Sequence, residues 1–158
     1  MILVTLGTQK FQMNRLVEAA DSLAEQVGEE VFVQTGNSTY IPKLCKYSQF
    51  VDSATYKEMI ENCNILITHS GVGSIMTGIN AKKPVIVVPR LKQFHEHVDD
   101  HQLEIAKAFE GKGCVLCCED VSSLAEYVEK AKTYTFQPYT APEGKIEEII
   151  LDFLEACE

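Results

Sequence analysis

No apolar stretch in this 158-residue sequence approaches the roughly 18 to 20 residues that a membrane-spanning helix needs. Basic residues are also scarce. Fourteen Lys and Arg stand against 23 Asp and Glu, for a formal net charge of −9. A surface of that sign repels phosphate backbones and anionic lipid headgroups, which argues against nucleic acid as a partner. Any work at a membrane then requires another molecule to hold the chain there. The first residues, Met1-Ile2-Leu3-Val4-Thr5, lack the basic segment of a secretory leader and read as a strand, so a cytoplasmic location is expected. Internal repeats, low-complexity tracts and linkers are missing as well.

Six cysteines are present, but no second pair completes the spacing of Cys114-x-x-Cys117 into a zinc set. That pair lies in an apolar run, where side chains three apart on a strand point to opposite faces. Reduced structural thiols in a reducing compartment are therefore expected. The apolar fraction of 46% is ordinary for a globular chain. The length suits one domain and is too short for two full α/β domains.

Short apolar runs alternate with amphipathic stretches. Runs at 2–6, 31–35, 50–51, 65–68, 85–88 and 114–117 read as strands. Between them, Leu16, Ala20, Leu23, Ala24 and Val27 share one helical face, and Gly28 stops that helix. Thr55-x-x-Glu58 has the form of a capping box for a helix through Tyr56, Met59 and Ile60. Further helices are expected after the turn at 69–74, around Leu103, Ala106 and Phe109, and after Asp120. A last one is expected through Ile146, Ile149, Ile150, Phe153 and Leu154. Strand–helix alternation of this kind predicts an α/β fold: one domain over 1–158, with a Rossmann-like parallel sheet and helices on both faces.

In such a sheet, ligands sit outside the carboxyl ends of the strands. Three loops fall there: Gly7-Thr8-Gln9-Lys10, Thr68 to Ser74, and Pro89 to Gln102. The central one reads Thr68-His69-Ser70-Gly71-Val72-Gly73-Ser74. Its glycines let backbone N–H groups approach an anion, and the helix that follows adds positive potential. Ser74 offers a hydroxyl and His69 a ring N–H, a set that suits a diphosphate. The same residues also describe a tight turn with a helix cap, and local sequence leaves both readings open. A dinucleotide fingerprint fails, because position 76 is Met and the motif does not follow the first strand. The cluster of His95, Glu96, His97, Asp99, Asp100 and His101 lacks the helix-borne His-Glu-x-x-His pattern, so no metal is expected. A polar loop that caps the next helix is the alternative for His95 and His101.

Three motifs in order carry a resemblance. They are Thr68 to Ser74, then Lys83-Pro84-Val85-Ile86-Val87-Val88-Pro89, then His97-x-Asp99-x-x-Gln102. Together they resemble the C-terminal half of family 28 glycosyltransferases, enzymes of the GT-B architecture in which two Rossmann-like halves face a cleft. The resemblance runs from Gly7-Thr8 and Phe11 to the end of the chain. It is strongest to small donor-binding subunits whose acceptor half is a separate polypeptide, such as the dolichol-linked N-acetylglucosaminyltransferase pair. The run from Val87 to Lys92 and from Glu96 to Gln102 looks most like the bacterial exopolysaccharide and capsule pairs.

The resemblance implies a UDP-sugar donor, no cofactor and no divalent ion. It also implies a membrane-anchored partner subunit that binds a lipid-linked acceptor and holds this chain at the inner membrane face. His69, Gly71, Gly73 and Ser74 match the diphosphate turn, and Thr8, Ser70 and Val72 are counted with them among the expected substrate-binding residues. Phe50 and Val51 match the short strand whose backbone meets uracil. Asp99 and Gln102 match positions that reach sugar hydroxyls, and His97 is counted with them among the expected substrate-binding residues. Thr77 departs from the pattern, since many relatives carry there a Glu that binds the ribose. The catalytic base is not assigned to this chain. Two rivals are a non-catalytic enhancer subunit and a sugar-nucleotide epimerase; the latter has both halves in one chain.

Overall fold

The computed structural model describes residues 1–139. Six strands form one parallel sheet: β1 (Ile2–Thr5), β2 (Val31–Gln34), β3 (Lys46–Ser48), β4 (Ile65–His69), β5 (Val85–Val88) and β6 (Leu116–Cys117). Their order across the sheet is β3-β2-β1-β4-β5-β6, and every pairing is parallel. Five α-helices connect them: α1 (Asn14–Gln26), α2 (Ser53–Asn62), α3 (Val72–Asn80), α4 (His101–Gly111) and α5 (Leu124–Thr133).

The apolar runs explain the layers. Successive residues of a strand face opposite ways. Ile2 and Val4 therefore join α1 and α5 on one side, with Leu16, Val17, Ala20, Val128 and Ala131. Leu3 and Leu66 pack the other side with Ile60 of α2, Ile75 of α3 and Ile105 of α4. Both faces of the sheet are covered, which is why its strands contain almost no polar alternation. Each fully buried aliphatic side chain contributes about 1.5 to 3 kcal/mol. The central strands, buried along their length, therefore carry more of the sheet's stability than the exposed edge.

That edge corrects the sequence reading. The third strand is Lys46–Ser48, not Phe50-Val51. Its residues are largely exposed and carry no apolar run, so hydrophobicity could not mark it. Phe50 and Val51 follow the strand and turn into α2. The start of α2 differs too: Asp52 caps it, its carboxylate accepting from Thr55 N at 2.8 Å. Thr55 is thus the third residue of the helix rather than its cap. The last strand is shorter than expected, and Asp120 caps a 3₁₀ turn (Val121–Ser123) that leads into α5. The helix expected through Ile146 to Leu154 lies outside the described residues. Among the described residues, no helix is long and apolar enough to cross a membrane.

One buried carboxylate orders the loop before β3. Asp21 of α1 is 4% exposed and accepts from Lys43 N, Leu44 N, Cys45 N and the Tyr40 hydroxyl. Burial opposes its ionisation, but the bonds from Lys43, Leu44 and Cys45 together outweigh that and hold its pKa below the ordinary aspartate value. A depressed folded pKa gives stability that is present above the unfolded value and lost as pH falls through the folded one. Asp21→Asn should therefore lower stability at pH 7 by about 1 to 3 kcal/mol, the range for unpairing a buried donor. The gap between variant and wild type should shrink below about pH 4, near the unfolded aspartate pKa. Urea unfolding at pH 7 and pH 3 measures both, and a gap independent of pH contradicts the assignment.

Candidate functional site

The strand order reverses between β1 and β4. β1 continues to β2 on one side, while the chain crosses to β4 on the other. Loops leaving such neighbouring strands diverge and open a crevice at the carboxyl ends. A cavity of roughly 630 Å³ occupies that place. The β1–α1 loop contributes Gly7, Thr8 and Gln9. The β4–α3 turn and α3 contribute His69, Gly71, Val72, Gly73, Ser74 and Thr77. The end of β3 and the start of α2 add Phe50, Val51, Ser53 and Tyr56. Nine residues singled out from sequence therefore share one cavity: Thr8, Phe50, Val51, His69, Gly71, Val72, Gly73, Ser74 and Thr77. Another cavity, lined by Lys82, Lys83 and Pro84 among others, lies by the amino end of β5, away from this crevice.

Helix α3 begins at Val72, so its free N–H groups and positive dipole end open on the cavity. Its cap is Gly71, not Ser74, and no side chain caps it. The donors at this end are thus left for a ligand. The two glycines of the turn have different jobs. A Cβ on Gly71 would run into the His69 ring, 2.8 Å from Nε2. A Cβ on Gly73 would meet nothing within 4 Å. Gly71 therefore makes room for His69, whereas Gly73 keeps the cavity itself open. Gly7, at φ +74°, also makes room for this ring, its added Cβ falling 2.5 Å from His69 Nε2.

His69 is 5% exposed, and its pKa is pushed down to about 3. Burial is the main cause, followed by the nearby Arg90 cation. The ring is neutral at physiological pH and can offer one N–H, but no positive charge. The Ser70 hydroxyl is fully buried and has no hydrogen-bond partner. The same holds for the Tyr56 hydroxyl and for Gln9 Oε1, both from residues that line the cavity. Buried polar atoms are normally paired; Gln9 and Tyr56 bring two unpaired ones to the cavity wall, while that of Ser70 lies behind it. The Thr77 hydroxyl is already committed, donating to Gly73 O at 2.8 Å.

His97, Asp99 and Gln102 do not line this cavity. The buried His97 ring packs against Phe11, their centroids 5.7 Å apart. The Asp99 carboxylate sits between two imidazoles, 3.1 Å from His97 Nδ1 and 3.2 Å from His101 Nδ1. Gln102 is 1% exposed, and its amide is bonded to the protein itself. No group of three or more potential metal ligands converges among the described residues. The five described cysteines are buried thiols, and burial pushes Cys45, Cys117 and Cys118 up to about 12.

Sequence reasoning missed the side chains that hold the loops in place. Gln34, at the end of β2, accepts from Leu6 N and Gly7 N and donates to Gly7 O and Gln49 O. It pins the β1–α1 loop to the segment that carries Phe50. Arg90 is 1% exposed and donates to Leu6 O, Phe11 O, Gln12 O and Glu96 O. Glu96, fully buried, pairs with Arg15 at 2.9 Å and accepts from Leu91 N. This network locks the β1–α1 loop to the loop after β5. An arginine two residues past an apolar strand was the available signal, since burial there requires partners.

The family model for the glycosyltransferase family 28 C-terminal domain matches residues 1–153. The human UDP-N-acetylglucosamine transferase subunit ALG13 is 32% identical over 126 residues, 74% of this chain and 11% of that protein. The chain thus spans about a tenth of that relative's length. Among solved structures, the calicheamicin glycosyltransferase CalG4 superposes with a TM-score of 0.64 at 17% identity, over 84% of this chain and 34% of its own. The solution structure of ALG13 gives a TM-score of 0.59 at 16% identity, over 95% of this chain and 94% of its own. The strand order, the turn at α3 and the match along nearly the whole sequence agree: this chain belongs to the glycosyltransferase family 28 C-terminal domain family.

Proposed function

We propose that this chain is the donor-binding subunit of a two-component, inverting glycosyltransferase that moves a sugar from a UDP-sugar to a lipid-linked acceptor in polysaccharide or glycan synthesis. The observation that carries the reading is the uncapped N-terminus of α3, opening past the unobstructed Gly73 into the β1/β4 crevice. The diphosphate lies against that helix end, with the His69 N–H and the Ser74 hydroxyl as further donors. Charge that develops on the departing UDP is met by these fixed donors. The uracil lies toward Phe50 and Val51. The curated human relative is named as an N-acetylglucosamine transferase subunit, which makes UDP-N-acetylglucosamine the first donor to test.

Sugar transfer also needs a positioned acceptor hydroxyl and a base. A membrane-anchored partner supplies both in this reading, and it holds the present chain at the cytoplasmic membrane face. The chain alone should accordingly show little transfer and gain it with the partner. A second reading is a non-catalytic enhancer subunit. One observation favours it: the Thr77 hydroxyl is tied to Gly73 O, leaving no carboxylate at that position to grip a ribose.

Calorimetric titration separates the two. A donor subunit binds UDP, and Ser74→Ala weakens UDP by about 0.5 to 3 kcal/mol, from a neutral to a charge-assisted hydrogen bond. Uridine, without phosphates, should lose far less. Equal losses for both ligands contradict a phosphate contact at Ser74. A folded chain that ignores millimolar UDP supports the enhancer reading.

A further inference from the structure

Gln102 stands on the first turn of α4, yet its side chain reaches the turn at His69. Its Oε1 accepts from Ser70 N at 3.2 Å and from Arg90 N at 3.1 Å. Two backbone N–H groups can face only the oxygen of an amide, so they fix which way the amide points. The NH₂ end is then the group 3.3 Å from His69 Nδ1. An amide NH₂ donates and cannot accept, so Nδ1 must be the nitrogen with the lone pair. A neutral imidazole then carries its proton on Nε2. Nε2 is the ring atom nearest the space that a Cβ on Gly7 would take, and Gly7 and His69 both line the cavity.

We infer that Gln102 is a positioning residue: it fixes His69 as the Nε2–H tautomer, so that the crevice presents an N–H donor rather than a lone pair to its ligand. The inference rests on the reading of the crevice as a nucleoside-diphosphate site. It explains why a glutamine that touches no cavity surface belongs to the site. A lone pair aimed at a phosphate oxygen repels it, and an N–H attracts it. Burial keeps the ring neutral near pH 7, so the tautomer alone decides which of the two the ligand meets. His97 and Arg90 are the other titratable or charged groups acting on this ring, and both disfavour a cationic His69.

Gln102→Glu is the informative variant. It keeps an oxygen for Ser70 N and Arg90 N, and so the fold, but turns the donor at Nδ1 into an acceptor. Long-range proton–nitrogen spectra of the labelled full chain report the protonation of each ring, with His69→Asn assigning the signals. Wild type should show Nε2–H and an unprotonated Nδ1 for His69 from pH 5 to 8. Gln102→Glu should place the proton on Nδ1 at a pH where its ring is neutral. At that pH it should bind UDP about five- to tenfold more weakly, the worth of one hydrogen bond, with uridine little changed. A wild-type His69 protonated on Nδ1 overturns the inference. So does a reversed tautomer with unchanged UDP affinity. A wild type with Nε2–H that binds no UDP at all overturns the donor-site reading instead, and with it the use assigned to this tautomer.

Discussion

Gly73→Val should abolish UDP binding, by at least about a hundredfold, while leaving the fold intact. The added Cβ meets no protein atom within 4 Å, and Gly73 has no positive φ that would strain another residue. The first turn of α3 accepts a branched residue at modest cost, since helix propensity favours valine over glycine. All the new volume therefore projects into the crevice, over the N–H groups assigned to the diphosphate. A loss of about 2.7 kcal/mol corresponds to a hundredfold. Thermal melting and calorimetry on one sample separate the possibilities. An unchanged melting point with lost UDP affinity supports the site. Unchanged affinity in the folded variant contradicts it. The comparison with Gly71→Val is instructive, because that Cβ strikes the His69 ring. The second variant should lose stability as well as binding.

Arg90→Met should produce the largest loss of stability of any single change considered, about 3 to 5 kcal/mol. Replacing a buried ion pair with apolar residues can be neutral when both partners are removed. That escape is closed here. The main acceptors of Arg90 are the backbone carbonyls of Leu6, Phe11, Gln12 and Glu96, which no side-chain substitution removes. Methionine keeps the length and apolar bulk, so the loss reports the unpaired carbonyls and the altered balance at Glu96. Arg90→Lys should recover only part, because one ammonium cannot span the positions that a guanidinium fork reaches. Chemical unfolding measures all three proteins. A loss under about 0.5 kcal/mol, typical of an uncoupled surface position, contradicts the network.

The fold was legible because a parallel sheet buried on both sides has a plain signature. Its inner strands are nearly continuous apolar runs, and a helix such as α1 buries a one-sided stripe. The edge escaped for the opposite reason. Lys46, Tyr47 and Ser48 pair through their backbones with Phe32, Val33 and Gln34, and backbone pairing leaves little trace in side-chain hydropathy. Phe50, an exposed aromatic on the rim of the crevice, drew the strand assignment instead. The turn from His69 to Ser74 was legible as a turn that precedes a helix. Its division of labour was not. Only the position of the His69 ring distinguishes a glycine required by the protein, Gly71, from one that leaves room for a ligand, Gly73.

Residues that act at a distance were least legible. Gln34 and Arg90 look in sequence like ordinary polar residues close to the ends of apolar runs, and Gln102 like a ligand contact in a polar loop. Each instead satisfies backbone groups of two or more loops at once, and such service depends on contacts between segments up to 84 residues apart, as for Arg90 and Leu6. The resemblance placed Gln102 against sugar hydroxyls, whereas its amide lies inside the protein, on Ser70, Arg90 and His69.

The central claim is that the β1/β4 crevice holds UDP through its phosphates. Amide proton–nitrogen spectra of the wild-type chain, titrated with UDP and separately with uridine, test it most directly. The account predicts saturable shifts with UDP at Gly7, Thr8, Gln9 and Gly71 to Ser74, and much weaker ones at the same residues with uridine. A folded chain whose amides in these two loops do not respond to millimolar UDP contradicts it.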